Sequence, residues 1–72
     1  MMSRKGEEAI GLAAGEVWRY LHRKGEATPS KIAKETGLSE KEVQRAIGWL
    51  AREGKLEFHL EGRREILRLR EG

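Results

Sequence analysis

Apolar and polar positions along the chain change their period once. From about Glu7 to Lys24, Ile10, Ala14, Val17 and Leu21 recur at helical spacing, with Ala13 and Tyr20 on one shoulder and Trp18 on the other. Glu7 and Glu8 open this segment and Arg23 and Lys24 close it, the order a helix dipole favours. A second helix is expected from Thr28-Pro29, a hydroxyl cap followed by a first-turn proline, as far as Gly37, with Ile32 and Ala33 inward. Ser39-Glu40-Lys41-Glu42 then forms a capping box, so a third helix starts at once. Val43, Ala46, Ile47 and Leu50 are its core face, and Gly54 ends it.

After Gly54 the period becomes two. Leu56, Phe58 and Leu60 alternate with Lys55, Glu57 and His59, and beyond Gly62, Leu67 and Leu69 alternate with Arg68 and Arg70. A two-residue turn at Gly62-Arg63 pairs Phe58 with Leu67 and Leu56 with Leu69 on one face. The same register sets Glu57 against Arg68 on the other, an opposite-charge pair. One domain over residues 7–72 follows from this order, behind a flexible tail over residues 1–6 in which Arg4 and Lys5 are a disordered basic stretch.

Composition narrows the chemistry. The chain has 72 residues, 15 Lys+Arg, 12 Asp+Glu and no Cys, and every acid is Glu. There is no Asp or Asn, and Gln44 is the only Gln. Disulfides, thiolate zinc sites and cysteine nucleophiles are excluded, as are an EF-hand loop and a Ser-His-Asp triad. A chain this short buries only about 60% of its unfolded surface, too little to enclose a large substrate cavity. Its longest uncharged stretch, Ala9 to Gly15, falls far short of the roughly 20 apolar residues of a membrane span. Charged residues follow the initial Met1-Met2-Ser3, with no apolar run of an export signal, so a cytoplasmic location is expected. Abundant Glu, Lys and Arg with almost no amides is a thermophile-like balance.

Ile32 to Val43 reads as helix, turn, helix. Ala33 is small where the helices cross, Gly37 supplies the turn, Leu38 plugs the core and Val43 packs back. In such a unit the second helix can enter a DNA major groove. The run resembles the winged helix-turn-helix superfamily, and Gly54-Lys55-Leu56-Glu57 matches the start of that family's wing. More narrowly, Ala14-Gly15-Glu16-Val17-Trp18 and Ala46 to Leu56 look like a small bacterial and archaeal family of stand-alone winged-helix domains of unknown function. The resemblance covers about Ile10 to Leu69. It implies an α+β winged helix-turn-helix fold, a three-helix core with a C-terminal two-stranded β-hairpin wing.

The side of the third helix opposite Val43 and Leu50 carries Lys41, Gln44, Arg45, Gly48 and Arg52. Arg pairs bidentately with guanine and Gln with adenine, while Lys and Arg also hold phosphates. Gly48 leaves a bare spot where a phosphate backbone or a second protein can come close. The plain alternative is a solvated charged face, with Glu40, Glu42 and Glu53 around it. Arg63 and Arg64 sit at the wing tip, which the superfamily resemblance places near a minor groove or phosphates, though Glu61 and Glu65 flank them as pairing candidates. Ser30 and Lys31, in the first turn of the second helix, are in position for a phosphate.

Other features point toward protein partners. Gly11, Gly15, Trp18 and His22 fall on one side of the first helix, beside its core stripe. Either the domain's own wing or third helix packs there, or it is a twofold dimer contact. Trp49 lies at the edge of the third helix's core face and either caps the core or, with Ile66, forms an interface.

Catalysis has little to stand on. His22 and His59 have no third ligand spaced to complete a metal site, and no serine has an adjacent base. We therefore expect no enzyme, metal or small-molecule cofactor. The expected function is double-stranded DNA binding by a homodimeric transcriptional regulator in the cytoplasm, with no membrane contact. Gln44 and Arg45 would read bases, Lys41 and Arg52 would hold phosphates, and Arg63 and Arg64 would act from the wing. The alternative is a protein–protein adaptor without DNA binding, favoured by the balanced charge of residues 39–54; RNA binding by the same face is a third reading.

Overall fold

The structure is a computed structural model that describes residues 3–70, with the backbone alone for residues 3–9. The order of elements is α1 (Ser3–Lys24), β1 (Glu26–Ala27), α2 (Pro29–Thr36), α3 (Glu40–Arg52), β2 (Leu56–Glu61) and β3 (Arg64–Leu69). Three helices pack around one core, and a three-stranded antiparallel sheet of order β1-β3-β2 closes its side. This is the expected winged helix, with one strand more than the sequence pattern suggests.

The core draws on every element. Ala13, Ala14, Val17, Tyr20 and Leu21 of α1 meet Ile32 and Ala33 of α2 and the Val43-Ala46-Ile47-Leu50 stripe of α3. Ala27, Leu56 and Leu67 join from the sheet, and Leu38 and Leu69 pack on the edge. Val17, Ile32, Ala46 and Leu67 lose all contact with solvent. Small residues on α1 and α3 let those two helices approach closely, which suits a core with few large side chains.

Helix α1 starts at Ser3, ahead of the expected Glu7. Residues 3–6 of the expected tail are therefore helical, while Met1 and Met2 lie outside the described residues. Its first turn holds no acid, so Glu7 and Glu8 do not cap it electrostatically as expected; His22, Arg23 and Lys24 do occupy its last turn. No described helix is long and apolar enough to cross a membrane.

The hairpin keeps the expected register, with Leu56 opposite Leu69, Glu57 opposite Arg68, Phe58 opposite Leu67, and Gly62-Arg63 as the turn. Its side chains depart from expectation in three ways. Arg68 reaches across to Glu26 at 2.9 Å instead of pairing with Glu57, because β1 lies on the other side of β3 and brings Glu26 opposite it. Phe58 and Leu60 stay 47% and 77% exposed: strands of six residues run to about 20 Å, and the core takes up only the hairpin's base. Ile66, considered for an interface if exposed, is buried apart from the main cluster.

One polar link ties α1 to α2. The Tyr20 hydroxyl donates a 2.6 Å hydrogen bond to Oε1 of Glu35. Burial, with the adjacent carboxylate, pushes the Tyr20 phenol up to about 12, and the bond lowers Glu35 below its ordinary 4.5. A depressed carboxylate stabilises the fold above its unfolded value, and that contribution is lost as pH falls through the lowered folded one. A raised phenol stabilises it below 10, and its contribution is lost as pH climbs from 10 toward 12. Tyr20→Phe is expected to lower the urea midpoint at pH 7 and to flatten the stability profile at both ends. Unfolding midpoints measured from pH 3 to pH 11, roughly spanning the two ordinary values, test this.

Candidate nucleic-acid interface

The turn between α2 and α3 is held at each residue. Thr28 caps α2, its Oγ1 accepting from the Lys31 amide at 3.2 Å. At the far end Gly37 takes φ 81°, and its amide donates to the Ala33 carbonyl at 3.0 Å. Thr36 Oγ1 donates to the Ile32 carbonyl at 2.6 Å and accepts from the Leu38 amide at 3.3 Å. Ser39 and Glu42 complete the capping box, with the Ser39 amide donating to Glu42 Oε1 at 2.9 Å and the Glu42 amide to Ser39 Oγ at 3.0 Å. The other end of α3 closes in a Schellman pattern, with the Gly54 amide on the Ala51 carbonyl at 3.0 Å and the Lys55 amide on that of Leu50 at 2.9 Å.

With both ends fixed and its apolar stripe in the core, α3 has one rotation. Lys41, Gln44, Arg45, Gly48 and Arg52 are all exposed. So are Ser30 and Lys31 at the start of α2, and Arg63 and Arg64 at the wing tip. Among the described residues none of these cations is in an ion pair. Of the carboxylates around them, Glu42 is held in the capping box and Glu35 by Tyr20, with Lys31 and Lys34 also acting on its charge, whereas Glu40 and Glu53 are exposed without an ion-pair partner among the described residues and leave α3 a face of mixed sign. Glu61 and Glu65 form no ion pair with the wing-tip arginines.

Two of these residues come together across the two helices. Ser30 and Gln44 line one small depression of about 50 Å³ with Pro29, Glu40 and Val43. Ser30 also borders an open groove with Thr28, Lys31, Lys34 and Glu35. Lys34, in the last turn of α2, thus joins Lys31 along this groove, an addition absent from the sequence expectation. Its spacing of three from Lys31 on a short helix was the available signal.

A bare patch lies within this face. A Cβ at Gly48 would meet no atom within 4 Å, so nothing in the domain requires glycine there.

The α1 face is built differently. Gly11, Gly15 and Trp18 line a groove of about 420 Å³ with Ala14, Arg19, Trp49, Leu50 and Lys55. Helix α3 forms one wall but does not fill the groove. A Cβ at Gly11 would meet nothing, and one at Gly15 only the tip of Arg19, at 3.5 Å. Trp18 stacks on His22 with centroids 4.9 Å apart. Trp49 is 41% exposed, so it edges the core without being covered. His59 lies 3.8 Å from Glu57, and no three metal-ligating side chains come together among the described residues.

Residues 2–69 match the family model of the winged helix-turn-helix domain (DUF2582). Among solved structures the chain is similar to a protein of Bacteroides thetaiotaomicron determined by solution NMR, with a TM-score of 0.82 and 26% identity, covering 89% of this chain and 78% of that one. No match is found among curated proteins.

The capping box sets where α3 begins. Ser39→Ala is expected to cost about 1 kcal/mol. Gly48→Ala, which meets no neighbour, is expected to add about 1 kcal/mol. Urea unfolding of the two variants should move in opposite directions.

Proposed function

The chain belongs to the winged helix-turn-helix domain family DUF2582, and from that premise we propose that it binds double-stranded DNA as a homodimeric transcriptional regulator in the cytoplasm. The observation that carries this reading is the outer face of α3, where Lys41, Arg45 and Arg52 are exposed without ion-pair partners beside Gln44 and Gly48. Such cations are free to displace counterions from a phosphate backbone. Gln44 and Arg45 read base edges, Lys41 and Arg52 hold phosphates, and Ser30 and Lys31 add a contact from α2. Arg63 and Arg64 act from the wing. Gly48 lets the sugar-phosphate backbone approach the helix. One module of this size makes few base contacts, so two half-sites and a dimer supply useful specificity.

A second reading, an adaptor that binds protein through the same fold, is favoured by the half-exposed Trp18 and Trp49 beside an unfilled groove. Fold alone does not decide between the two.

Fluorescence anisotropy with duplex DNA across a salt series separates them. Affinity is expected to fall steeply with log[salt]. Arg63→Ala should make the slope shallower by about 1, and Arg45→Ala should cost about 1–3 kcal/mol on a preferred site. Gly48→Ala should weaken binding while the protein itself grows more stable. No binding at low salt would overturn the DNA reading in favour of the adaptor.

A further inference from the structure

The unfilled side of α1 has a self-complementary pattern. Gly11, Gly15, Trp18 and His22 are spaced by four, three and four residues, so the set reads the same from either end. The two small residues come first and the two large rings last. Turned end for end, a second α1 presents a ring wherever the first presents a glycine. These positions also follow the alternating four-three spacing of a coiled-coil seam.

We propose that two copies of the chain pair through α1, antiparallel about a twofold axis, with Trp18 seated over the partner's Gly15 and His22 over the partner's Gly11. This rests on the dimeric reading above and fixes its geometry. Four features of the chain support it. The glycines answer to no need within the monomer, since a Cβ at Gly11 meets nothing and one at Gly15 only the movable tip of Arg19. Glycine inside a helix is costly, and close approach of a second helix accounts for two of them on one seam.

The rings are preset for the role. Trp18 and His22 stack nearly parallel, 9° apart, and form one continuous ridge, with Trp18 37% exposed. Leu12, 73% exposed, lies on the flank of this seam with Arg19 one heptad further on. Antiparallel pairing brings the two together across the interface and covers Leu12. Trp49 and Lys55, on the far wall of the groove, border the same seam.

Charge selects the direction. The sequence of α1 mixes Arg4 and Lys5 with Glu7 and Glu8 early and carries His22, Arg23 and Lys24 in its last turn, so only the last turn is of one sign. Antiparallel pairing keeps the two basic last turns apart and opposes the two helix dipoles; parallel pairing does neither. The required area is within reach. A stable interface takes about 800 Å² from each partner, about a seventh of the 5534 Å² this chain exposes.

The test is mass by analytical ultracentrifugation across a dilution series, without DNA, for wild type, Gly15→Leu, and the reversed pair Gly15→Leu/Trp18→Ala. Wild type should be dimeric. Gly15→Leu should be monomeric with a melting temperature no lower than wild type, because its Cβ meets only the movable tip of Arg19, leucine is the better helix former, and the added bulk blocks the partner's Trp18. The reversed pair should dimerise again, since small again faces large. A monomeric wild type overturns the proposal, and so does a Gly15→Leu variant that stays dimeric. Duplex-DNA anisotropy on the same samples keeps the two proposals apart. A monomeric wild type that binds duplex overturns the self-pairing alone. A dimer that obeys the swap but ignores duplex supports the self-pairing and removes the DNA reading.

Discussion

Burial of the Val43-Ala46-Ile47-Leu50 stripe is the constraint on which the rest depends. A chain of 72 residues has material for one core, and α3 supplies its middle. Once those four side chains are inside, the rotation of α3 about its axis is settled, and Lys41, Gln44, Arg45, Gly48 and Arg52 must face out. The outer face owes its position to the inner one. The caps add the second coordinate, since Ser39 and Gly54 fix where along the axis the helix starts and stops.

What was legible in the sequence was what is decided locally. Thr28, Gly37, Ser39 and Glu42 act within four residues of themselves, so cap and turn chemistry could be read directly. The hairpin was legible because a two-residue turn leaves one register that satisfies both faces. What escaped was decided at long range. Strand β1 is two residues long and has no period to detect, and only its pairing with β3 makes it a strand. That hidden strand then diverted Arg68 from Glu57 to Glu26. Alternation placed Phe58 and Leu60 on the correct face of the hairpin, but it carries no information about how far the helices extend beneath it. In the candidate site, Gln44 and Arg45 follow from helical period alone, whereas the juxtaposition of Ser30 with Gln44 across two helices, and the addition of Lys34, needed the packing of α2 on α3.

Three glycines of α1 and α3, among the described residues, share one character. Gly11, Gly15 and Gly48 each leave helix backbone bare, and at none would a Cβ strike another part of the fold, Arg19's movable tip aside. Helix propensity disfavours all three. A sequence that caps two of its helices with care and still keeps glycine inside exposed faces gives up stability where contact with other molecules is proposed, and keeps it where the monomer's own packing needs it.

The small strand β1 has a consequence in time. Its ion pair joins Glu26 to Arg68, 42 residues apart, whereas the helical turns and the hairpin close over short stretches of chain. Loop closure over that span costs more entropy than the local steps, so pairing of this kind is slow to form. Helices and hairpin can each assemble early, but the wing takes its place on the body only when the two ends of the domain meet. The pairing of Arg68 with Glu26 belongs in this sense with the packing of α1 on β3, among the long-range contacts that clasp the wing to the body.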